Sequence, residues 1–133
     1  MEIKKLTDEL SVSGQIISED LIQLQKAGVK SIICNRPDQE DPGQPDFDSL
    51  ATEAKALGME VKFMPVVSGQ ISKENAHEFG ELTQALATPI HAYCRSGMRC
   101  TTLWALSELE KGGDRNRILA NTEMAGYNLS KML

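Results

Sequence analysis

The stretch from Cys94 to Arg99 combines the residue types that a nucleophilic thiol needs. It contains a cysteine, a glycine and two arginines within six residues, in the order Cys-Arg-Ser-Gly-Met-Arg. The apolar run over 90–93 before it indicates a buried strand, and leucines at 103, 106 and 109 follow at helical spacing. Backbone N–H groups in such a strand-to-helix turn converge with the positive end of the helix. The turn therefore predicts a cradle for an anion.

The field of this cradle favours a thiolate over a thiol, which makes Cys94 the candidate nucleophile. Arg99, at the predicted start of the helix, is the candidate oxyanion-binding residue. The residues between them are candidate substrate contacts: Arg95, Ser96, Gly97 and Met98. Two alternatives stay open, because a cysteine on a strand is often an inert core residue and a glycine in a turn often serves only the turn.

Apolar periodicity and glycine stops divide the chain into alternating strands and helices. Strands are predicted at 2–6, 9–13, 29–34, 59–67 with a break at Pro65, and 90–94. Helices are predicted at 18–27, 46–57, 72–87, from the Cys94 turn to Gly112, and over 114–133 with a break at Gly126. This alternation is typical of an α/β fold with a central, mostly parallel sheet and helices on both faces, and residues 1–133 are expected to form one domain.

A proline-rich loop over 35–45 follows the strand predicted at 29–34. Open α/β sheets bind ligands at the edge where parallel strands end. Right-handed crossovers should bring Arg36, Ser68 and Cys94 around one mouth, which adds Arg36 and Ser68 to the candidate substrate contacts. Asp38 and Glu40 lie in the same loop, although charges in a loop are often only solvated.

Composition excludes several classes of function. The chain has 133 residues, a hydrophobic fraction of 41% and a net charge of −5, which argues against nucleic acid or an anionic membrane as a partner. No apolar run has the length of a membrane span, and the first residues lack the apolar core of a signal peptide, so a cytoplasmic protein is expected. Three cysteines and two histidines show no metal-ligand spacing, and no cofactor is predicted.

Six short segments together resemble a known family. They are Gly14-Gln15-Ile16, Ile33–Glu40, Pro65-Val66, Tyr93–Arg99, Leu103–Leu106 and Ala125-Gly126-Tyr127. They resemble the phosphatase-like domain of the beta-lactamase-hydrolase-like proteins, and the resemblance covers nearly the whole chain. It implies the fold of the dual-specificity cysteine phosphatases and a cysteine-dependent phosphatase activity. Some members of that family are labelled sulfurtransferases instead.

The active loop departs from the phosphatase signature in two ways. That signature places His before the cysteine and Arg six residues after it, whereas this chain has Tyr93 and Cys100 there, and Arg99 comes one residue early. A Cys-Arg-Ser-Gly-x-Arg loop is also similar to the loop of many rhodaneses, which carry sulfur as a cysteine persulfide. Rhodaneses typically add a strand after the loop helix, but the pattern after Gly113 is helical, as in the phosphatases.

Three functions follow from the loop and the resemblance. The first is a phosphatase in which the Cys94 thiolate attacks phosphorus, with Asp38 or Glu40 as substitutes for the aspartic acid that the related phosphatases use. The second is a sulfurtransferase that takes sulfane sulfur on Cys94. The third is a module that only binds oxyanions, against which the nucleophilic thiol argues. The expected partner is therefore a small oxyanion, a phosphorylated substrate or a sulfane-sulfur donor.

Two further cysteines are candidates for a resolving thiol. Cys100 stands where the phosphatases keep their arginine, and Cys34 ends the neighbouring predicted strand. Either thiol would trap an oxidised Cys94 as a disulfide if it lies close enough. The alternative for Cys100 is a small buried residue in the first turn of a helix.

Overall fold

The computed structural model describes all 133 residues as five strands and five helices. The strands are β1 (Lys4–Lys5), β2 (Leu10–Ser13), β3 (Ser31–Cys34), β4 (Glu60–Phe63) and β5 (Ile90–Tyr93). The helices are α1 (Ser18–Lys26), α2 (Phe47–Ala56), α3 (Lys73–Ala85), α4 (Met98–Glu110) and α5 (Arg115–Met124). The predicted alternation of strands and helices is confirmed. No helix is both long enough and apolar enough to cross a bilayer.

The five strands form one sheet in the order β1-β2-β5-β3-β4. Only β1 runs antiparallel to its neighbour; β2, β5, β3 and β4 are parallel. The last residue of β5, Tyr93, pairs with Ser13 of β2 on one side and with Cys34 of β3 on the other. Three strands therefore end at the same level, and Cys94 leaves the middle one.

Helices cover both faces of the sheet, as predicted. On one face the core contains Phe79 of α3, Leu103 of α4 and Ile118 of α5. On the other face it contains Leu24 of α1 and Leu50 of α2. Neighbouring strand residues alternate between the two cores, because successive side chains of a strand point to opposite faces.

A buried histidine joins β2 to β5. The imidazole of His91 lies 2.8 Å from Ser11 Oγ at Nδ1 and 2.7 Å from Ser13 Oγ at Nε2. Ser13 Oγ donates to the Gly14 carbonyl at 2.8 Å, so it accepts from Nε2–H, and Ser11 donates to Nδ1. Burial lowers the pKa of His91 to about 4, which keeps the ring neutral at pH 7.

Three predicted elements are longer than the observed ones. The first hairpin contributes two residues in β1 rather than the five over 2–6. The strand predicted over 59–67 with a break at Pro65 ends at Phe63, just before that break, since Pro65 cannot donate to a neighbouring strand. The helix predicted over 114–133 with a break at Gly126 ends at Met124, before that glycine with its φ of +96°, and residues 127–133 are irregular apart from a turn at 130–132.

Candidate active site

The Cys94 loop is held by the strand beside it. The Cys94 N–H donates to the Ser13 carbonyl at 3.4 Å, and the Gln15 N–H donates to the Arg95 carbonyl at 3.3 Å. The lack of a side chain at Gly14 allows the two backbone segments to lie this close, because a Cβ there would lie 2.8 Å from the Arg95 carbonyl oxygen. The turn itself closes at Gly97, whose φ of +93° favours glycine, and α4 begins at the next residue.

The environment of Cys94 stabilises a thiolate. Its sulfur accepts the Gly97 N–H at 3.1 Å. The Cys100 thiol contributes most to the stabilisation, and the backbone N–H groups of Cys100, Ser96 and Gly97 add to it. These donors outweigh burial and lower the pKa of Cys94 to about 5, so the group is ionised at pH 7. The side chain is 1% exposed, so a substrate must insert its reacting atom into the loop to reach it.

Both candidate resolving thiols are buried near the nucleophile. The Cys100 thiol lies close enough to lower the pKa of Cys94, and burial raises the pKa of Cys100 well above that of a free thiol. Burial also raises the pKa of Cys34, whose thiol donates to the Arg36 carbonyl at 3.3 Å and contacts the Tyr93 hydroxyl. All three cysteines are free. Cys100 therefore stays a neutral thiol at pH 7 beside an ionised Cys94.

Arg99 is fixed by the loop that follows β3. Its Nη1 and Nη2 each donate to one oxygen of the Glu40 carboxylate at 2.8 Å, and Nη1 also donates to the Val66 carbonyl at 2.9 Å. A guanidinium carries five N–H donors, so Nε–H and one Nη2–H are left, and these two lie on the same edge. The sulfur of Cys94 is close enough to favour the charged guanidinium. The free edge can bind two oxygens of an anion.

A second arginine hydrogen-bonds to acidic side chains of the same loop. Arg36 is buried and donates to Glu40 at 2.8 Å, to Asp41 at 2.7 Å and to Gln15 at 3.0 Å. Arg95 is mostly exposed, and its Nε lies 3.3 Å from Asp41 Oδ2. Arg36 therefore lies behind the site and supports the carboxylates that face it.

Neither carboxylate predicted as a general acid is placed for that role. Arg99 and Arg36 lower the pKa of Glu40 to about 2, so it has no proton to give at pH 7. The Asp38 carboxylate accepts the Phe47 N–H at 2.9 Å at the start of α2 and does not line the cleft above the Cys94 loop. Glu40 instead orients Arg99, and Asp38 fixes a helix.

An open cleft of about 670 Å³ lies over the loop. Its lining residues are Glu40, Asp41, Ser68, Arg95, Ser96, Met98 and Arg99. The structure thus brings the predicted Ser68 and Glu40 together with the outer residues of the Cys94 loop. No group of three or more His, Cys, Asp or Glu side chains is arranged to hold a metal ion.

Sequence reasoning missed Asp41, Gln15 and Tyr127. Asp41 stands in the loop that supplied Glu40, but nothing in its spacing distinguishes it from a solvated charge. Gln15 and Tyr127 lie in segments that carry the family resemblance, yet they contact the loop only after the chain folds back on itself. Tyr127 is buried, and its hydroxyl donates to the Ser96 carbonyl at 2.8 Å.

The chain matches a known protein family. Residues 2–110 match the model of the beta-lactamase hydrolase-like protein, phosphatase-like domain. The chain is 30% identical over 132 residues to a beta-lactamase hydrolase-like protein of Xylella fastidiosa, covering 98% of this chain and 31% of that protein. It is 34% identical over 112 residues to one of Agrobacterium fabrum, covering 84% of this chain and 26% of that protein. The chain thus spans about a third or less of these relatives.

Comparison with solved structures identifies the fold. A candidate phosphatase from Neisseria meningitidis superposes with a TM-score of 0.90 at 34% identity, covering 99% of this chain and 94% of that one. The Saccharomyces cerevisiae PP-IP phosphatase SIW14, solved with citrate, gives 0.69 at 16% identity, covering 93% and 75%. Pseudomonas aeruginosa TpbA, solved with phosphotyrosine, gives 0.69 at 15%, covering 94% and 72%. The predicted cysteine-phosphatase-like fold is confirmed.

Proposed function

Because this chain belongs to the phosphatase-like domain family of the beta-lactamase hydrolase-like proteins, we propose that it is a cysteine-dependent phosphatase acting on phosphate esters. One observation carries the proposal. The Cys94 sulfur, whose pKa is about 5, accepts the Gly97 N–H within its loop, and the Arg99 guanidinium lies close enough to interact with its charge. A nucleophile and an oxyanion site are the two parts that phosphoryl transfer through a covalent intermediate requires.

In this reaction the Cys94 sulfur attacks the phosphorus atom, an S–P bond forms, and the bond from phosphorus to the ester oxygen breaks. The loop N–H groups and the Nε/Nη2 edge of Arg99 bind the equatorial oxygens, whose charge must be stabilised in the transition state. Water then hydrolyses the cysteinyl-phosphate and restores the thiolate. Glu40 acts as a positioning residue, since its carboxylate fixes the guanidinium.

The carboxylates that line the cleft also indicate which phosphate esters should react fastest. Its two carboxylates, Glu40 and Asp41, both accept hydrogen bonds from arginines, so neither is placed to protonate a leaving oxygen. Substrates whose leaving group is stable as an anion, such as aryl phosphates, should therefore react faster than alkyl phosphates. A small oxyanion or phosphorylated substrate also fits the citrate and phosphotyrosine found in SIW14 and TpbA.

Turnover of p-nitrophenyl phosphate and of an alkyl phosphate tests this function. We expect release of phosphate from the aryl ester, and its loss in Cys94→Ser with retention of phosphate binding. Cys34→Ser is the matched control, because Cys34 is a buried thiol that does not line the loop. Equal turnover by Cys94→Ser and the unmodified protein would contradict the proposal, as would the absence of any hydrolysis.

A specific observation favours sulfane-sulfur transfer as a second candidate. Arg99 follows Cys94 by five residues rather than six, and Cys100 occupies the sixth position, close enough for its thiol to lower the pKa of Cys94. The Cys94 thiolate would attack the outer sulfur of thiosulfate, forming an S–S bond and releasing sulfite, and a thiol or cyanide would then accept the sulfur. This step needs no general acid. A persulfide on Cys94 after treatment with thiosulfate, together with no phosphatase turnover, would establish this candidate instead.

A further inference from the structure

A tyrosine outside the Cys94 loop hydrogen-bonds to the peptide unit whose N–H donates to the Cys94 sulfur. Tyr127 follows α5, and its hydroxyl donates to the Ser96 carbonyl at 2.8 Å. That carbonyl belongs to the same peptide unit as the Gly97 N–H, which donates to Cys94 Sγ at 3.1 Å. In a trans peptide the C=O and N–H point in opposite directions. The hydroxyl on one side therefore directs the N–H on the other side at the sulfur.

The surroundings of Tyr127 fix it in this position. Its backbone N–H donates to the Thr122 carbonyl at 2.9 Å, and the Lys4 ammonium lies 4.7 Å from the ring centre. A Cβ on Gly97 would overlap the Tyr127 hydroxyl, so the glycine at this turn makes room for the tyrosine. Burial raises the pKa of Tyr127 to about 12, which keeps the hydroxyl protonated as a donor.

We propose that Tyr127 is a positioning residue for the nucleophile: it orients and polarises the Ser96–Gly97 peptide so that its N–H stabilises the Cys94 thiolate. A donor to the carbonyl increases the dipole of the whole peptide unit and strengthens the bond that its N–H makes. Tyr127 does not touch the substrate. The role concerns activation of the thiol, so it applies to phosphoryl transfer, the proposed function, and equally to sulfur transfer.

The pH dependence of iodoacetamide labelling at Cys94 tests this role, because it reports the thiol pKa without any substrate. Tyr127→Phe keeps the ring and removes only the donor. We expect its labelling midpoint to rise by roughly 0.5 to 1 pH unit, which corresponds to the loss of one modest hydrogen bond. Cys100→Ala is the positive control. It removes a thiol that also lowers the pKa of Cys94, so its midpoint should rise as well.

The matched control for stability is Thr122→Val, which removes a buried hydroxyl from α5 that donates only to the Leu119 carbonyl at 2.9 Å. We expect Thr122→Val to lower the melting temperature and to leave the labelling midpoint unchanged. An unchanged midpoint in Tyr127→Phe would overturn the proposal, and so would equal rises in Tyr127→Phe and Thr122→Val. A raised midpoint in a protein that hydrolyses no phosphate ester would support Tyr127 and reject only the phosphatase.

A second measurement keeps the phenol in place. The chain has two tyrosines, so fluorotyrosine incorporated into a Tyr93→Phe background lies at position 127 alone. A more acidic phenol is a stronger donor, and we expect it to lower the Cys94 labelling midpoint relative to the same background with ordinary tyrosine. An unchanged or raised midpoint would contradict the role of Tyr127 even if Tyr127→Phe does not fold.

Discussion

At the scale of single residues, the site depends on how hydrogen-bond donors are distributed around one sulfur. Cys94 is an acid of low pKa because a thiol and three backbone N–H groups surround it, and Cys100 contributes most. The turn that contains Cys94 predicted a lowered thiol pKa, which agrees with the value of about 5. Cys100 was predicted as a candidate resolving thiol beside Cys94, but its contribution to stabilising the thiolate was not predicted, because that depends on how the loop closes.

Arg99→Lys should reduce kcat/KM by about two orders of magnitude or more, as for the loss of an oxyanion donor. The guanidinium binds Glu40 with one edge and leaves its Nε and Nη2 edge free to bind an oxyanion. A lysine ammonium cannot hold both groups in this geometry. Steady-state kinetics with an aryl phosphate measures the effect, and Arg95→Lys is the control because that side chain is mostly exposed. Near-native turnover in Arg99→Lys would contradict the assignment.

Glu40→Gln separates positioning from acid catalysis. The pKa of Glu40 is about 2 because Arg99 and Arg36 stabilise its charge. We expect the substitution to lower kcat by about tenfold through misplacement of Arg99, and to leave the alkaline side of the pH–rate profile unchanged. The result that contradicts this role is loss of the alkaline limb, which would identify Glu40 as the proton donor.

At the scale of elements, the end of β2 acts as a support for the active loop. Sequence periodicity located the strands and helices because their apolar residues repeat regularly. It did not reveal that Gly14 and Gln15 touch the Cys94 loop, since this contact joins two loops that lie 80 residues apart in the chain, at Gln15 and Arg95. The parallel topology predicted that the ends of neighbouring strands surround one opening. Ser68 and the Cys94 loop do line one cleft.

Gly14→Ala should disturb the cradle without unfolding the protein. Its Cβ would lie 2.8 Å from the Arg95 carbonyl oxygen, so the loop must shift. We expect kcat/KM to fall by about tenfold and the free energy of unfolding to fall by about 1 to 3 kcal/mol, as for an overpacked site. Turnover and urea unfolding measure the two effects.

Gly80→Ala is the control for that substitution. A Cβ on Gly80 meets the hydroxyl of Ser107 between α3 and α4, away from the active loop. It should alter stability and leave turnover per folded molecule unchanged. If Gly14→Ala and Gly80→Ala reduce turnover equally, the β2 contact has no special part in catalysis.

At the scale of the whole molecule, one sheet with two cores holds the site, and most of this could be predicted. Alternating strands and helices fixed the layer arrangement, and the family resemblance indicated its class. The segment after Gly126 could not be predicted correctly. Tyr127 and Leu129 are both buried although they are two residues apart, which is a spacing of extended chain and not of a helix, so the helical prediction for this segment is wrong.

Stability should fall as the pH falls from about 6.5 to about 4, because of His91. Its pKa is about 4 in the folded protein and 6.5 in the unfolded chain, so the unfolded chain binds more protons within this window. The loss from this residue amounts to about 3 kcal/mol at the acid end. Urea unfolding of the unmodified protein and of His91→Gln at several pH values measures the difference.

The other histidine provides the control. His77 is exposed, and its pKa is raised by Glu110, which gives the opposite sign of pH dependence. His77→Gln should therefore retain the acid destabilisation that His91→Gln removes. Equal pH dependence of stability in His91→Gln and the unmodified protein would show that the buried imidazole is not neutral.

In the proposed mechanism Cys94 carries a phosphoryl group during turnover, and trapping this intermediate tests the mechanism directly. The protein is mixed with p-nitrophenyl phosphate, quenched in acid within the first turnover, digested and analysed by mass spectrometry, with thiosulfate in a parallel sample. We predict a phosphoryl adduct on the peptide that contains Cys94, absent from Cys94→Ser and lost on further incubation as phosphate appears. A persulfide on Cys94 from thiosulfate, with no phosphoryl adduct from the ester, would contradict the mechanism.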